Sequence, residues 1–149
     1  MRDQTGCGSA GANSCSGLVA YLGDEPVGWC AVAPRTATPG LLKSRVPWAG
    51  RAEDKADPRI WAVTCMIIRP GYRKRGFTIA LARGAVAFAR DHGAVALEAY
   101  AMLNPGGADV PWGEMHVGSP RAYAAAGMTE VAHPTPRRVV MRIDFKKRA

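Results

Sequence analysis

The sequence predicts an α/β domain in which helices flank one mixed sheet, and three observations carry this. From Ile60 onward the apolar pattern alternates strand, helix, strand, helix, strand. Hairpin-like strand pairs stand at both ends of the chain, so the strands cannot all run parallel. With 149 residues, 48% hydrophobic and 21% charged, the chain has the size and composition of one ordinary globular domain.

Residues 1–16 are rich in Gly, Ser and Ala and lack the apolar stretch of a signal peptide, so a flexible leader is expected there and the domain proper spans 17–149. Gly17 to Leu22 and Pro26 to Ala33 form a hairpin around Gly23-Asp24-Glu25. Pro34 to Arg59 turns polar and proline-punctuated, with Leu41-Leu42 and Trp48 as anchors; an excursion of this length, holding one short helix near Leu41, suggests a functional loop such as a lid. Ile60 to Ile68 is a continuous apolar run with β-branched residues, hence a buried central strand. Phe77, Leu81, Ala85 and Phe88 then recur at helical spacing from Gly76 to about Asp91, and His92-Gly93 stops that helix. Ala94 to Tyr100 alternates as a strand with Glu98 on the face opposite Val95, Leu97 and Ala99. Ser119 caps a short helix with Pro120 in its first turn, Gly127 ends it, and Met128 to Ala132 and Arg138 to Phe145 are the last strands.

The junction between the central strand and the long helix carries the most information. Arg73, Lys74 and Arg75 stand immediately before Gly76. A helix N-terminus already holds roughly half a positive charge, so three cations there are repelled unless an anion lies between them. The free N–H groups of the first helical turn point at the same place. Strand, basic turn, glycine and helix together form a phosphate cradle.

Arg73-x-x-Gly76-x-Thr78 resembles the Gln/Arg-x-x-Gly-x-Gly/Ala signature of the GNAT family of N-acetyltransferases, with Thr78 where the family usually has Gly or Ala. Tyr123-Ala-Ala-Ala-Gly127-Met128 resembles the family's Tyr-x-x-x-Gly-Phe, and the two stand in the family's order. The resemblance covers about nine-tenths of the chain; the strand and helices with which the family usually begins are missing before the first hairpin, and these commonly wall the acceptor site. It implies a GNAT-like mixed, mostly antiparallel twisted sheet, splayed at a central strand pair that takes acyl-CoA. It implies acetyl-CoA, or another acyl-CoA, as co-substrate and an amine of a small molecule or protein as acceptor.

By that resemblance the turn Arg73, Lys74, Arg75, Gly76, Phe77 and Thr78 holds the pyrophosphate. Backbone N–H groups at Met66, Ile67 and Ile68 pair with the pantetheine arm and polarise the thioester carbonyl. Tyr123 aligns with a tyrosine that in many members protonates or hydrogen-bonds the departing sulfur, and its ordinary pKa of about 10 suits a donor to a thiolate. Glu98, Glu114 and His116 are the candidate bases: Glu98 has the expected position, His116 the best unperturbed pKa.

Other chemistries find little support. His92, His116 and His133 have no metal-ligand spacing and no cysteine partner, so no metal is expected. No Gly-x-Ser-x-Gly elbow is present. Cys30 and Cys65 fall in apolar strands as buried thiols. No apolar run is long enough to span a bilayer, and a cytoplasmic location is expected. The net charge of +8 gathers at the basic turn and at Arg137, Arg138, Arg142 and Lys146-Lys147-Arg148, where a charged edge strand and tail account for it. The leading reading is an N-acetyltransferase working by direct attack. Its alternatives are a non-catalytic CoA-binding member and a basic nucleic-acid-associated protein, although no aromatic-interleaved basic stripe is present. Acceptor and dimerisation stay open.

Overall fold

A computed structural model describes residues 17–37, 39–51, 54–72, 75–103 and 118–146. The strands among these residues are β1 (Gly17–Leu22), β2 (Glu25–Pro34), β3 (Ile60–Ile68), β4 (Ala96–Met102), β5 (Thr129–Thr135) and β6 (Arg138–Asp144). They form a single sheet in the order β1-β2-β3-β4-β6-β5. The helices are α1 (Pro39–Lys43), α2 (Phe77–Asp91) and α3 (Pro120–Ala125). Only β3 and β4 pair in parallel; every other ladder is antiparallel, giving the mixed sheet expected.

Packing follows the apolar periods. Leu81, Ala85 and Phe88 of α2 are buried, while Arg83 and Arg90 off that stripe are exposed. They meet Val27, Cys30 and Val32 of β2, Trp61, Val63, Met66 and Ile68 of β3, and Leu97, Ala99 and Ala101 of β4 in one core. Fully burying a side chain such as Leu81 or Leu97 stabilises the fold by roughly 1.5–3 kcal/mol. Gly28 lets β2 pass close beneath α2, because a Cβ there would come within 2.7 Å of the Ile68 side chain and 3.2 Å of Leu81. His92 closes α2 and Gly93 follows at φ +86°, the left-handed exit that glycine permits.

The excursion between β2 and β3 is built of a 3₁₀ turn at Arg35–Ala37, α1, and a second 3₁₀ turn at Val46–Trp48. Trp48 anchors it, its indole N–H donating to the Leu41 carbonyl at 3.0 Å and its ring facing Tyr100 of β4. Tyr100 shares a sheet face with Glu98, opposite the face that carries α2.

One expectation is corrected. The basic C-terminal strand is not an edge: the β5–β6 hairpin places β6, with Arg138 and Arg142, between β4 and β5. The edge is β5, interrupted by register shifts and carrying Pro134, both of which discourage further pairing. No helix among the described residues is long and apolar enough to cross a membrane, and no metal-ligating cluster occurs among them.

Candidate active site

The site begins with an irregularity in β3. Against β2, Ala31 pairs with Cys65 and Val32 with Val63, which leaves Thr64 as the extra residue of a bulge. The bulge shifts the side-chain alternation by one, so that Trp61 and Val63 before it and Met66 and Ile68 after it all face α2. It also bends the strand. Pairing between β3 and β4 runs from Ile60↔Ala96 to Val63↔Ala99 and stops there. Beyond that point Cys65 to Ile68 stay on β2, while Tyr100 to Met102 stay on β6. The two strands diverge and the sheet opens. Met66, Ile67 and Ile68 lie along the β3 side of this opening.

The N-terminus of α2 lies at the same end. Gly76 caps α2 at φ +82°, a left-handed conformation that side-chain-bearing residues rarely adopt. It offers no side-chain cap, and the first turn of α2 has no acidic residue to offset the helix dipole. Arg75 is exposed and lies over the rings of Tyr72 and Phe77 at 5.6 and 5.8 Å. Thr78 is half-buried in the first turn. Arg73 and Lys74 lie outside the described residues.

Tyr123 is fully buried on α3, a helix that Ser119 starts by accepting the Ala122 N–H at 3.4 Å. Its hydroxyl packs on Gly118, where a Cβ would come within 2.8 Å of the phenol oxygen. Gly118 is also left-handed at φ +82°, so both space and conformation call for glycine. Burial, with the nearby Cys30 and Cys65 thiols, pushes the Tyr123 pKa well above the ordinary tyrosine value, and the phenol keeps its proton. Burial likewise pushes the Cys30 thiol up to about 12.

Glu98 departs from expectation. Its carboxylate is fully buried and surrounded by cations. Arg35 and Arg142 donate to Oε1 at 3.3 and 2.8 Å, and Arg51 donates to Oε2 at 3.1 Å while its other terminal nitrogen reaches Oε1. Tyr100 adds its hydroxyl to Oε2 at 2.9 Å. Burial alone raises the pKa of Glu98, but the hydrogen bonds and charge of Arg51, helped by Tyr100 and Arg35, hold it below the ordinary carboxylate range. A carboxylate so committed and so weakly basic is a poor acceptor for an ammonium proton. The expectation of Glu98 as general base is corrected: it is the buried counter-ion that ties the excursion to the sheet. Glu114 and His116 lie outside the described residues.

Sequence reasoning missed Thr64, Arg35, Arg51, Tyr100 and Arg142. Trp48, noted as an anchor, is the one member of this group with a local signal; its ring is flanked by the guanidinium groups of Arg35 and Arg51 at 4.9 and 5.2 Å.

Among solved structures the fold is similar to a Bacillus subtilis acetyltransferase in complex with CoA, at 16% identity and a TM-score of 0.52, covering 86% of this chain and 75% of that one. A CoA-dependent acyl-homoserine lactone synthase bound to SAM and isopentyl-CoA gives 17% identity and a TM-score of 0.58; the likeness covers 88% of this chain and 58% of the synthase. The ribosomal-protein-S18-alanine N-acetyltransferase of Escherichia coli gives 10% identity and a TM-score of 0.54, covering 90% and 72%. At these identities the likeness is one of fold. No curated protein matches the chain. Residues 2–106, well over half of the sequence, match the acetyltransferase (GNAT) family, and the chain belongs to that family.

Proposed function

We propose that the chain is an acetyl-CoA-dependent N-acetyltransferase that acts by direct attack of an acceptor amine. The observation that carries this reading is the opening of β3 from β4 at the Thr64 bulge, with the uncapped N-terminus of α2 at the same end. The described residues fit acetyl-CoA: the N-terminus of α2, with exposed Arg75 before it, lies at one end of an open strand edge, and a buried phenol lies on the helix packed beside it. Bound acetyl-CoA supplies an activated thioester carbonyl.

Each remaining task falls to the chain. Arg73, Lys74 and Arg75, with the N–H groups of the first α2 turn around Gly76, Phe77 and Thr78, hold the diphosphate. The backbone of Met66, Ile67 and Ile68 aligns the pantetheine arm and polarises the carbonyl oxygen. When an amine displaces the thiolate of a bound thioester, the Tyr123 hydroxyl, which keeps its proton, would hydrogen-bond the departing sulfur. The amine proton goes to His116 or Glu114, the bases that remain once Glu98 is set aside. Relatives of this fold bear names with unlike acceptors, an alanine of a ribosomal protein in one and a homoserine lactone product in another, so the fold leaves the amine open. With free thiols at Cys30 and Cys65, a cytoplasmic site of action belongs to this proposal.

Calorimetric titration tests it. Acetyl-CoA and desulfo-CoA should both saturate the protein far below the concentration at which ATP does, and Gly76→Glu should lose both. Tyr123→Phe should bind acetyl-CoA within about twofold of the native affinity and turn over about 100-fold more slowly. Unchanged CoA affinity in Gly76→Glu would overturn the cradle; CoA binding with no turnover of any amine would leave a non-catalytic CoA-binding protein.

A further inference from the structure

On the sheet face opposite α2 lies a cleft of about 270 Å³, lined by Ser44 and Pro47 of the excursion, Tyr100 of β4, Pro134 of β5, and Arg138 and Val140 of β6. Its position relative to the sheet opening is informative. Tyr100 is the first residue of β4 beyond its last pairing with β3, and Val140 is its partner across the β4–β6 ladder. A molecule in the cleft therefore stands at the mouth of the opening, on the far side of the sheet from α2.

The cleft has a chemical bias as well as a place. Its outer wall is the excursion, fixed by the Glu98 cluster and by Trp48. Arg51 donates to the carbonyl of Pro47, and Tyr100 donates to Glu98, so the cluster lies immediately behind the lining. Arg35, Arg51 and Arg142 meet the Glu98 carboxylate there, and Arg142 also meets Asp144. Arg138 adds a further cation at the cleft itself, and among the described residues it has no acidic partner. Proline and valine complete the lining. A volume this small suits a compact ligand rather than an extended one.

We propose that this cleft is the acceptor site, and that it selects amines of amino-acid size that also carry a carboxylate. The inference rests on the acetyltransferase reading and names the substrate class of that site. The guanidinium of Arg138 takes the carboxylate, for which its fork geometry is matched. The apolar lining takes the ligand's carbon skeleton, and the amine is left toward the opening beside Tyr100. The charge of Arg138 likewise disfavours polycationic amines.

The test compares amino acids with their own carboxamides, which keep the amine and remove the negative charge. Release of the CoA thiol should give kcat/KM at least tenfold higher for the carboxylates. In Arg138→Gln the ratio should fall toward one, and Arg138→Lys should retain most of it. Equal or better use of the carboxamides, or a ratio unmoved in Arg138→Gln, overturns the inference. A second readout needs no turnover: in amide NMR titrations of the protein alone, the acids but not the carboxamides should shift Arg138, Val140 and Tyr100. Absence of those shifts overturns the inference whatever CoA does. Their presence in a protein that fails to bind CoA overturns the acetyltransferase reading alone.

Discussion

At Glu98 the contest between desolvation and pairing decides what a side chain can do. Burial of a carboxylate is costly, and here three guanidinium groups and a phenol reverse that cost. Removing the charge leaves the cations facing each other in a buried site. Glu98→Gln should therefore destabilise the fold by about 3–5 kcal/mol, measured by urea unfolding at neutral pH. The sign with pH follows from a carboxyl held below its ordinary value in the folded state. Its contribution is complete above the unfolded pKa of about 4.3 and is lost as pH falls through the lower folded value. The native protein should thus lose stability steeply in that acid range, and the Gln variant should lack that part of the slope. A variant as stable as the native protein would remove the cluster from any structural role. The three guanidinium partners were not legible in Leu97-Glu98-Ala99, because they come from positions 35, 51 and 142. The helix that carries Tyr123 was legible, since it has its own cap, proline and terminating glycine.

The same contrast holds for elements. The long helix announced itself through its apolar stripe, and the strands through their runs and turn residues, with ends within about two residues of those observed for most. The bulge in β3 did not. Ile60 to Ile68 is apolar nearly throughout, so inserting one residue leaves no break in the pattern, and only the pairing with β2 exposes it. The bulge yields a specific expectation. Deleting Thr64 restores an unbroken alternation in which Trp61, Val63, Met66 and Ile68 still face α2. The variant should keep its helix content and cooperative unfolding by circular dichroism. It should also bind acetyl-CoA at least tenfold more weakly, because the bend that parts β3 from β4 is gone. Native affinity in a folded deletion variant would mean that the bulge does not create the opening.

For the whole molecule, the sheet is two three-stranded halves, β1-β2-β3 and β4-β6-β5, joined by four residue pairs. Helix α2 packs against strands of both halves and α3 packs against α2, so the helices hold together what the seam alone does not. A ligand seated between β3 and β4 adds a link at that seam. At a hundredfold excess over its dissociation constant it stabilises by about 2.7 kcal/mol, which for a chain of this size raises Tm by roughly 5–10 °C. Thermal melts should show that rise with acetyl-CoA and none with ATP; an equal rise with both would mean that the diphosphate alone is recognised.

The short seam also governs how the molecule would tear. A load drawn between β2 and β6, across the strands, meets seven rungs on β2–β3, seven on β4–β6, and four between β3 and β4. Rupture begins at those four and runs upward from the gap already present at Thr64, rung by rung. The helix laid over both halves then serves as the strap of a clasp, and the sheet parts as two plates before either plate frays.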